Sequence, residues 1–85
     1  MKQFQYTITD PVGIHARPAG ALAQAAKEFE SVVLVENDGK TAEATKLMAM
    51  MGLGIRCNDT VTVTVAGPDE DEAVVAIEKF FKERM

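Results

Sequence analysis

The sequence predicts an α+β fold, an open-faced two-layer sandwich in which a four-stranded antiparallel sheet carries three helices on one face, in the order βαββαβα. Two observations lead to this fold class. Polar and apolar residues alternate along the predicted strands, as they do when one face of a sheet is buried. The predicted helices collect their apolar residues on one stripe. With 85 residues, the chain forms a single domain, 1–85, because it is too short for two hydrophobic cores.

The first strand and the first helix flank a predicted turn. Phe4, Tyr6 and Ile8 alternate with polar residues in the strand. The turn follows at residues 10–13, where aspartate, proline and glycine interrupt regular structure. An amphipathic helix is expected at residues 16–29, with a thin apolar face that suits close packing against a sheet. That face consists of Ala19, Leu22, Ala23, Ala26 and Phe29.

Three more strands complete the predicted sheet. Residues 32–35 and 40–44 are expected to form a hairpin, because Asn37-Asp38-Gly39 between them favours a tight turn. The fourth strand, at residues 60–65, alternates threonine with valine. Half-buried strands of this kind are typical of an antiparallel sheet.

Two helices flank the fourth strand. Thr45 is expected to cap a short helix at residues 46–51, which Gly52 and Gly54 end because glycine tolerates the left-handed conformation found after helices. The last helix is predicted to begin near Asp69 or Glu70, with acidic residues in its first turn and basic residues in its last. Its apolar face consists of Ala73, Val74, Ile77, Phe80 and Phe81.

Composition argues against several classes of protein. Thirteen acidic and nine basic residues give a net charge of -4, which disfavours a nucleic-acid binder. Cys57 is the single cysteine, so no internal disulfide or cysteine-based zinc site can form, and we interpret it as a buried or incidental thiol. No signal sequence or membrane-spanning run is recognisable. We therefore expect a cytoplasmic protein without membrane insertion.

Residues 10–20, DPVGIHARPAG, contain the candidate site. His15 is the only histidine, and imidazole is a nucleophile that can carry a phosphoryl group on a ring nitrogen. The helix that begins at Ala16 offers the unpaired N–H groups of Ala16 and Arg17 to an anion. Pro18 suits the first helical turn because it loses no required hydrogen bond. Arg17 adds a permanent positive charge whose fork of donors matches phosphate oxygens.

These motifs resemble those of HPr, the histidine-containing phosphocarrier family of the bacterial phosphoenolpyruvate-dependent sugar phosphotransferase system. The resemblance spans the whole chain and is most specific at residues 13–19, 37–40 and 47–54. It implies that phosphorylated enzyme I modifies His15 at Nδ1, not at Nε2, and that the group passes to the IIA domains of sugar permeases. Arg17 and the N–H groups of Ala16 and Arg17 would support the phosphoryl group.

The same resemblance implies a carrier component rather than a free-standing enzyme. No metal or organic cofactor is expected, and the chain is expected to be a monomer. A transcriptional regulator is a further candidate partner.

The short apolar helix is predicted to contact partner proteins. The large side chains of residues 47–51 cannot all face one small core, and flexible methionines suit a surface that packs against several proteins. We assign this role to Leu47, Met48 and Met51, with Lys46 beside them. The alternative is that these side chains fill gaps in the core.

Lys46 departs from the family pattern. Many members have a regulatory serine at this position, so a dedicated serine kinase would find no hydroxyl here. Thr45 lies one residue away, where the helix cap is expected. Our hypothesis is a phosphocarrier that this kinase does not switch off and whose Lys46 favours acidic partners. Val12 is a smaller departure, because a polar residue is common there.

Four alternatives stay open. His15 could merely cap the helix, with Arg17 a solvated surface charge. Residues 10–14 also resemble small regulatory domains of the ACT type, which would predict a dimer that binds an amino acid. A regulatory or nitrogen-related phosphotransfer paralogue would keep both the fold and His15. An acylphosphatase-like enzyme would need an asparagine that residues 10–20 lack.

Overall fold

Four strands form one antiparallel sheet on which three helices pack, as the sequence predicts. The computed structural model describes residues 1–85. The elements are β1 (Lys2–Thr7), α1 (Ala16–Lys27), β2 (Val32–Asn37), β3 (Lys40–Glu43), α2 (Leu47–Met51), β4 (Thr60–Ala66) and α3 (Glu70–Arg84). The strands lie in the order β1-β4-β2-β3, and every neighbouring pair is antiparallel. None of the helices has the length and apolar character needed to cross a membrane.

The two faces of the sheet differ in chemistry. β1 and β4 pair in a register that sets Phe4 opposite Val63, and both side chains belong to the hydrophobic core or pack against it. On the other face, the Gln3 side-chain amide donates to the Thr64 hydroxyl at 3.1 Å. Alternation along each strand therefore gives one face to the helices and leaves the other polar.

Phe81 on α3 is the largest fully buried side chain of the domain. Its ring lies edge-on to those of Phe4 and Tyr6 on β1, with ring centroids 5.8 and 5.7 Å apart. These contacts fix α3 against the first strand. On α1 the small side chains of the predicted apolar face are buried, and the main backbone contacts of this helix are with α2 and α3. The buried residues of that helix are Ala19, Leu22, Ala23 and Ala26.

The predicted hairpin is confirmed. Asn37 pairs with Lys40, so Asp38 and Gly39 form a two-residue turn, with φ values of +53° and +81°. Positive φ at both positions is the requirement of a type I′ turn, which matches the twist of the two strands. The buried Asn37 side chain donates to the Leu53 carbonyl at 3.3 Å and ties the hairpin to the chain after α2.

The prediction that Thr45 caps α2 is wrong. The helix begins at Leu47, its N-cap residue is Lys46, and no side chain caps it. Thr45 belongs to a preceding turn, in which the Lys46 N–H donates to the Glu43 carbonyl at 3.0 Å. Its hydroxyl is therefore one position too early to serve as the N-cap acceptor.

Other predicted boundaries shift by one or two residues, those of β2, β3 and β4 among them. α1 ends at Lys27, and Phe29 lies half-buried against the core in the following turn. β1 ends at Thr7, one residue before the fully buried Ile8. After α2, Gly52 keeps a right-handed φ of -67°, and only Gly54 adopts the left-handed conformation, at φ +63°.

Asp69 joins the start of α3 to the turn before β2. Its Oδ2 accepts the Glu30 N–H at 2.9 Å and its Oδ1 accepts the Ser31 N–H at 2.9 Å. The Ser31 hydroxyl also donates to Oδ1. These hydrogen bonds, the Ser31 hydroxyl foremost and the Glu30 N–H next, hold the pKa of the Asp69 carboxyl below its ordinary value.

We expect Asp69→Asn to destabilise the domain at neutral pH and to weaken its acid sensitivity. Because the pKa of Asp69 is lowered by folding, the ionised form contributes stability above the ordinary value of 3.8, and that contribution is lost as the pH falls through the lower folded value. Urea unfolding measured from neutral to acid pH checks this. Asp71→Asn, at an exposed carboxylate of the same helical turn, is the matched control. Equal acid sensitivity in wild type and Asp69→Asn would contradict the assignment.

Candidate functional site

The loop between β1 and α1 holds the candidate site. Asp10 organises its turn, because its carbonyl accepts the Gly13 N–H at 2.9 Å and its Oδ1 accepts the Val12 N–H at 2.9 Å. Ile14 is buried, and its N–H donates to the Ile55 carbonyl at 3.1 Å. The candidate histidine therefore follows directly on a residue anchored in the core.

Gly13 brings this loop into close contact with the chain before β4. Its φ is +78°, in the left-handed region that favours glycine. A Cβ at this position would lie 2.6 Å from the Ile55 carbonyl oxygen and 2.8 Å from the Arg56 Cα. Only a residue without a side chain fits here.

His15 is the N-cap residue of α1. Its backbone is extended, with φ -121° and ψ -178°, and its carbonyl accepts the Ala19 N–H at 3.0 Å. The half-buried side chain makes no capping hydrogen bond, so the imidazole does not serve as a helix cap. The backbone N–H groups of Ala16 and Arg17 donate to no acceptor, and Pro18 has no N–H. The positive end of α1 therefore offers two free donors to an anion beside His15.

The side chain of His15 lines a cavity of about 410 Å³ together with that of Arg17. Asp10, Pro18 and Ala21 contribute to the same cavity. Arg17 is exposed and forms no ion pair with a carboxylate. Its guanidinium is therefore free to bind a negatively charged group attached to the imidazole.

Arg84, which no pattern in the sequence connects with the site, also lines this cavity. It lies at the end of α3, and only the path of that helix across the sheet brings it near the loop. Two hydrogen bonds hold the two segments together, since the N–H groups of Thr9 and Asp10 donate to the Met85 carbonyl at 2.7 and 2.9 Å. No local motif could have indicated this contact.

The short helix α2 exposes an apolar surface and buries one methionine. Met48 is 80% exposed, and Leu47 and Met51 are 38% and 37% exposed. Met50 is buried in the core at 1% exposure. α2 packs against α1, the helix whose N-cap residue is His15. The partner surface assigned above to Leu47, Met48 and Met51 is accessible.

Lys46 and Cys57 lie outside the cavity. The Lys46 side chain is exposed, with its Nζ 3.9 Å from a carboxylate oxygen of Glu43. The half-buried Cys57 thiol lies 3.8 Å from the Thr9 carbonyl oxygen. No group of three or more histidine, cysteine or acidic side chains comes together as a set of metal ligands.

Comparison with known proteins identifies close relatives. The family model for the phosphorylation site of the PTS HPr component matches residues 2–83. Phosphocarrier protein HPr of Mycoplasma genitalium is 49% identical over 78 residues, which cover 91% of this chain and 89% of that protein. HPr-C-His from Thermoanaerobacter tengcongensis superposes with a TM-score of 0.91 at 35% identity, over 98% of this chain and 93% of that one. An HPr dimer from the same organism gives a TM-score of 0.77 at 34% identity, with 99% and 97% coverage.

Proposed function

The chain belongs to the HPr family of the phosphotransferase system, and from this premise we propose that His15 accepts a phosphoryl group from phosphorylated enzyme I and passes it to the IIA domains of sugar permeases. Family membership sets aside the ACT-type and acylphosphatase-like alternatives. The protein acts as a covalent carrier between two partners and releases no product of its own.

The position of His15 carries this proposal. The histidine is the N-cap residue of a helix whose Ala16 and Arg17 N–H groups have no acceptor, and the free Arg17 guanidinium lines the same cavity. Phosphoryl transfer depends mainly on positioning of the reacting groups and on stabilisation of the developing charge. The half-buried imidazole supplies the nucleophile, and the helix end and Arg17 supply the charge.

The transfer exchanges one nitrogen–phosphorus bond for another. The lone pair on Nδ1 of neutral His15 attacks the phosphorus of a phosphohistidine on enzyme I, in line with the donor nitrogen. The bond from that nitrogen to phosphorus breaks as the bond to Nδ1 forms, and its electron pair returns to the donor imidazole. Transfer to a histidine or cysteine on an acceptor protein repeats the exchange with His15 as the leaving group.

We propose that partner proteins dock on a surface formed by Leu47, Met48 and Met51. These side chains are exposed on a helix that packs against α1, the helix whose N-cap residue is His15. Exposed, flexible methionines can adapt to both a donor and several acceptors. Lys46 adds a positive charge at the edge of this surface, which favours acidic partners.

We propose that a serine kinase does not regulate this carrier. Lys46 stands where many family members have serine, and Thr45 is half-buried in the turn before α2. The carrier would therefore stay active under conditions that switch off its serine-containing relatives.

We further propose a monomer that works in the cytoplasm. The cavity, the free helix end and the docking surface are all formed by one chain. Because several structural relatives were solved as dimers, sedimentation at working concentration is the measurement that tests this point.

Intact-protein mass after incubation with phosphoenolpyruvate and catalytic enzyme I tests the proposed function. We expect one phosphoryl group on the wild type, lost on brief acid treatment because phosphohistidine is acid-labile. Transfer from the purified phosphoprotein to a IIA domain would follow on mixing. A folded wild type that remains unmodified would contradict the proposal.

Arg17→Ala should slow phosphorylation about tenfold to a hundredfold while leaving the domain folded. Removal of one hydrogen-bond donor to a developing negative charge lowers reaction rates by this factor or more. Because Arg17 is exposed, solvent screening reduces the effect. Single-turnover transfer from phosphorylated enzyme I measures the rate. Lys27→Ala removes an exposed cation at the other end of α1 and is the matched control. If Arg17→Ala instead unfolds, Arg17 is structural.

A further inference from the structure

Arg84 is the one cationic residue of the His15 cavity for which the proposed mechanism has no role. It lies on the last turn of α3 and lines the cavity with His15 and Arg17. Its guanidinium carbon lies 5.4 Å from the centroid of the Phe80 ring, one helical turn earlier. This cation–π contact favours a position beside α1 over free extension into solvent.

The guanidinium of Arg84 is not engaged by a carboxylate. None of the ion pairs of the structure includes it. Two acidic residues lie near its path: Asp10 lines the His15 cavity, and Glu28 lines the neighbouring depression between α1 and α3. Arg84 borders both spaces, so it lies at the α3 side of the His15 cavity.

We propose that Arg84 binds the phosphoryl group carried by His15, as a second guanidinium opposite the helix end. This inference rests on the proposed function of His15. Before phosphorylation, Asp10, Arg17 and Arg84 give the cavity a formal charge of +1. A phosphoryl group adds roughly two negative charges. Without Arg84, only Arg17 and the two free N–H groups would stabilise them.

The stabilisation should appear in the phosphorylation equilibrium. A cation a few ångströms from a dianion at an exposed site favours the phosphorylated form modestly. We therefore expect Arg84→Gln to lower the equilibrium constant for phosphorylation of His15 about threefold. Enzyme I changes the rate of approach to equilibrium but not the end point, so a docking defect alone cannot produce this loss.

The experiment equilibrates each protein with catalytic enzyme I at a fixed ratio of phosphoenolpyruvate to pyruvate. Intact mass gives the phosphorylated fraction, and thermal unfolding verifies that each variant is folded. Lys82→Gln removes the same charge from the same helical turn, but its side chain faces Glu78 and does not line the cavity, so it should match the wild type. Arg84→Lys keeps the charge without the fork of donors and should fall between wild type and Arg84→Gln.

The outcomes separate this inference from the proposed function. An Arg84→Gln protein that reaches the wild-type fraction would overturn the role of Arg84 and leave the role of His15 standing. An equal loss in Lys82→Gln would also overturn it, because the effect would then reflect net charge. Absence of phosphorylation in the wild type would remove the proposed function and this inference together.

A second readout reports on the phosphoryl group itself. Phosphorus NMR follows the pH at which the bound group loses its second proton. Loss of a neighbouring guanidinium should raise the pKa of the phosphoryl group in Arg84→Gln and leave it unchanged in Lys82→Gln. Identical titration curves for wild type and Arg84→Gln would contradict direct contact.

Discussion

Replacing His15 with alanine is expected to abolish phosphorylation and to leave the stability of the domain nearly unchanged. His15 is the only histidine of the chain, so no second imidazole can take its place. Its side chain is half-buried and makes no capping hydrogen bond, and the backbone carbonyl that accepts the Ala19 N–H is kept in the variant. We therefore expect a change of no more than about 0.5 kcal/mol in the free energy of unfolding.

Intact mass after incubation with phosphoenolpyruvate and enzyme I measures this prediction, alongside urea unfolding of both proteins. A folded His15→Ala protein that still gains a phosphoryl group would show that another side chain is the acceptor. Acid treatment then distinguishes the two chemistries, because a phosphate ester survives conditions that hydrolyse phosphohistidine. Loss of phosphorylation accompanied by unfolding would show instead that His15 supports the fold.

Gly13→Ala is expected to destabilise the domain by about 2 to 4 kcal/mol, from left-handed strain and overpacking together. The new Cβ would lie 2.6 Å from the Ile55 carbonyl oxygen, and backbone rather than a flexible side chain must move to relieve the contact. For a domain of this length the total stability is roughly 4 to 13 kcal/mol. The shift would also displace Ile14 and with it His15, so phosphorylation should slow even in the molecules that remain folded.

Gly20→Ala is the matched control for this substitution. Gly20 lies within α1, and a Cβ there meets no atom within 4 Å. Alanine is the better helix former, so this variant should gain about 0.5 to 1 kcal/mol. Urea unfolding gives both values, and the phosphorylation rate divided by the folded fraction isolates the effect on the loop. A Gly13→Ala protein as stable as the wild type would contradict the close approach.

The sequence carries most of the local structure of this domain. Alternation along 60–65 predicts the buried valines of β4, and Asn37-Asp38-Gly39 predicts a turn whose two central residues have positive φ. Both features depend on neighbouring residues only, which is why pattern is sufficient. The apolar faces of α1 and α3 follow for the same reason.

Features that depend on distant segments were not predicted in the same way. The prediction that Thr45 caps α2 is wrong because the preceding turn, and not residue preference, determines where α2 begins. From the sequence alone, Arg84 is predicted only to be a cation in the last turn of a helix. Its place beside His15 arises from the packing of Phe81 on β1 and from the hydrogen bonds to the Met85 carbonyl. No spacing of residues in the sequence predicts those contacts.

The pairing of the first strand has a consequence for how the protein is made. β1 lies at the edge of the sheet and its only partner is β4, with Lys2 opposite Val65 and Thr7 opposite Thr60. On the ribosome, β1 emerges before β4 has been synthesised, so it must wait for a strand that lies far along the chain. The sheet closes late, and contacts between such distant segments are formed slowly. Until then, Phe4 and Tyr6 remain exposed to water and to any chaperone that binds unpaired apolar strands.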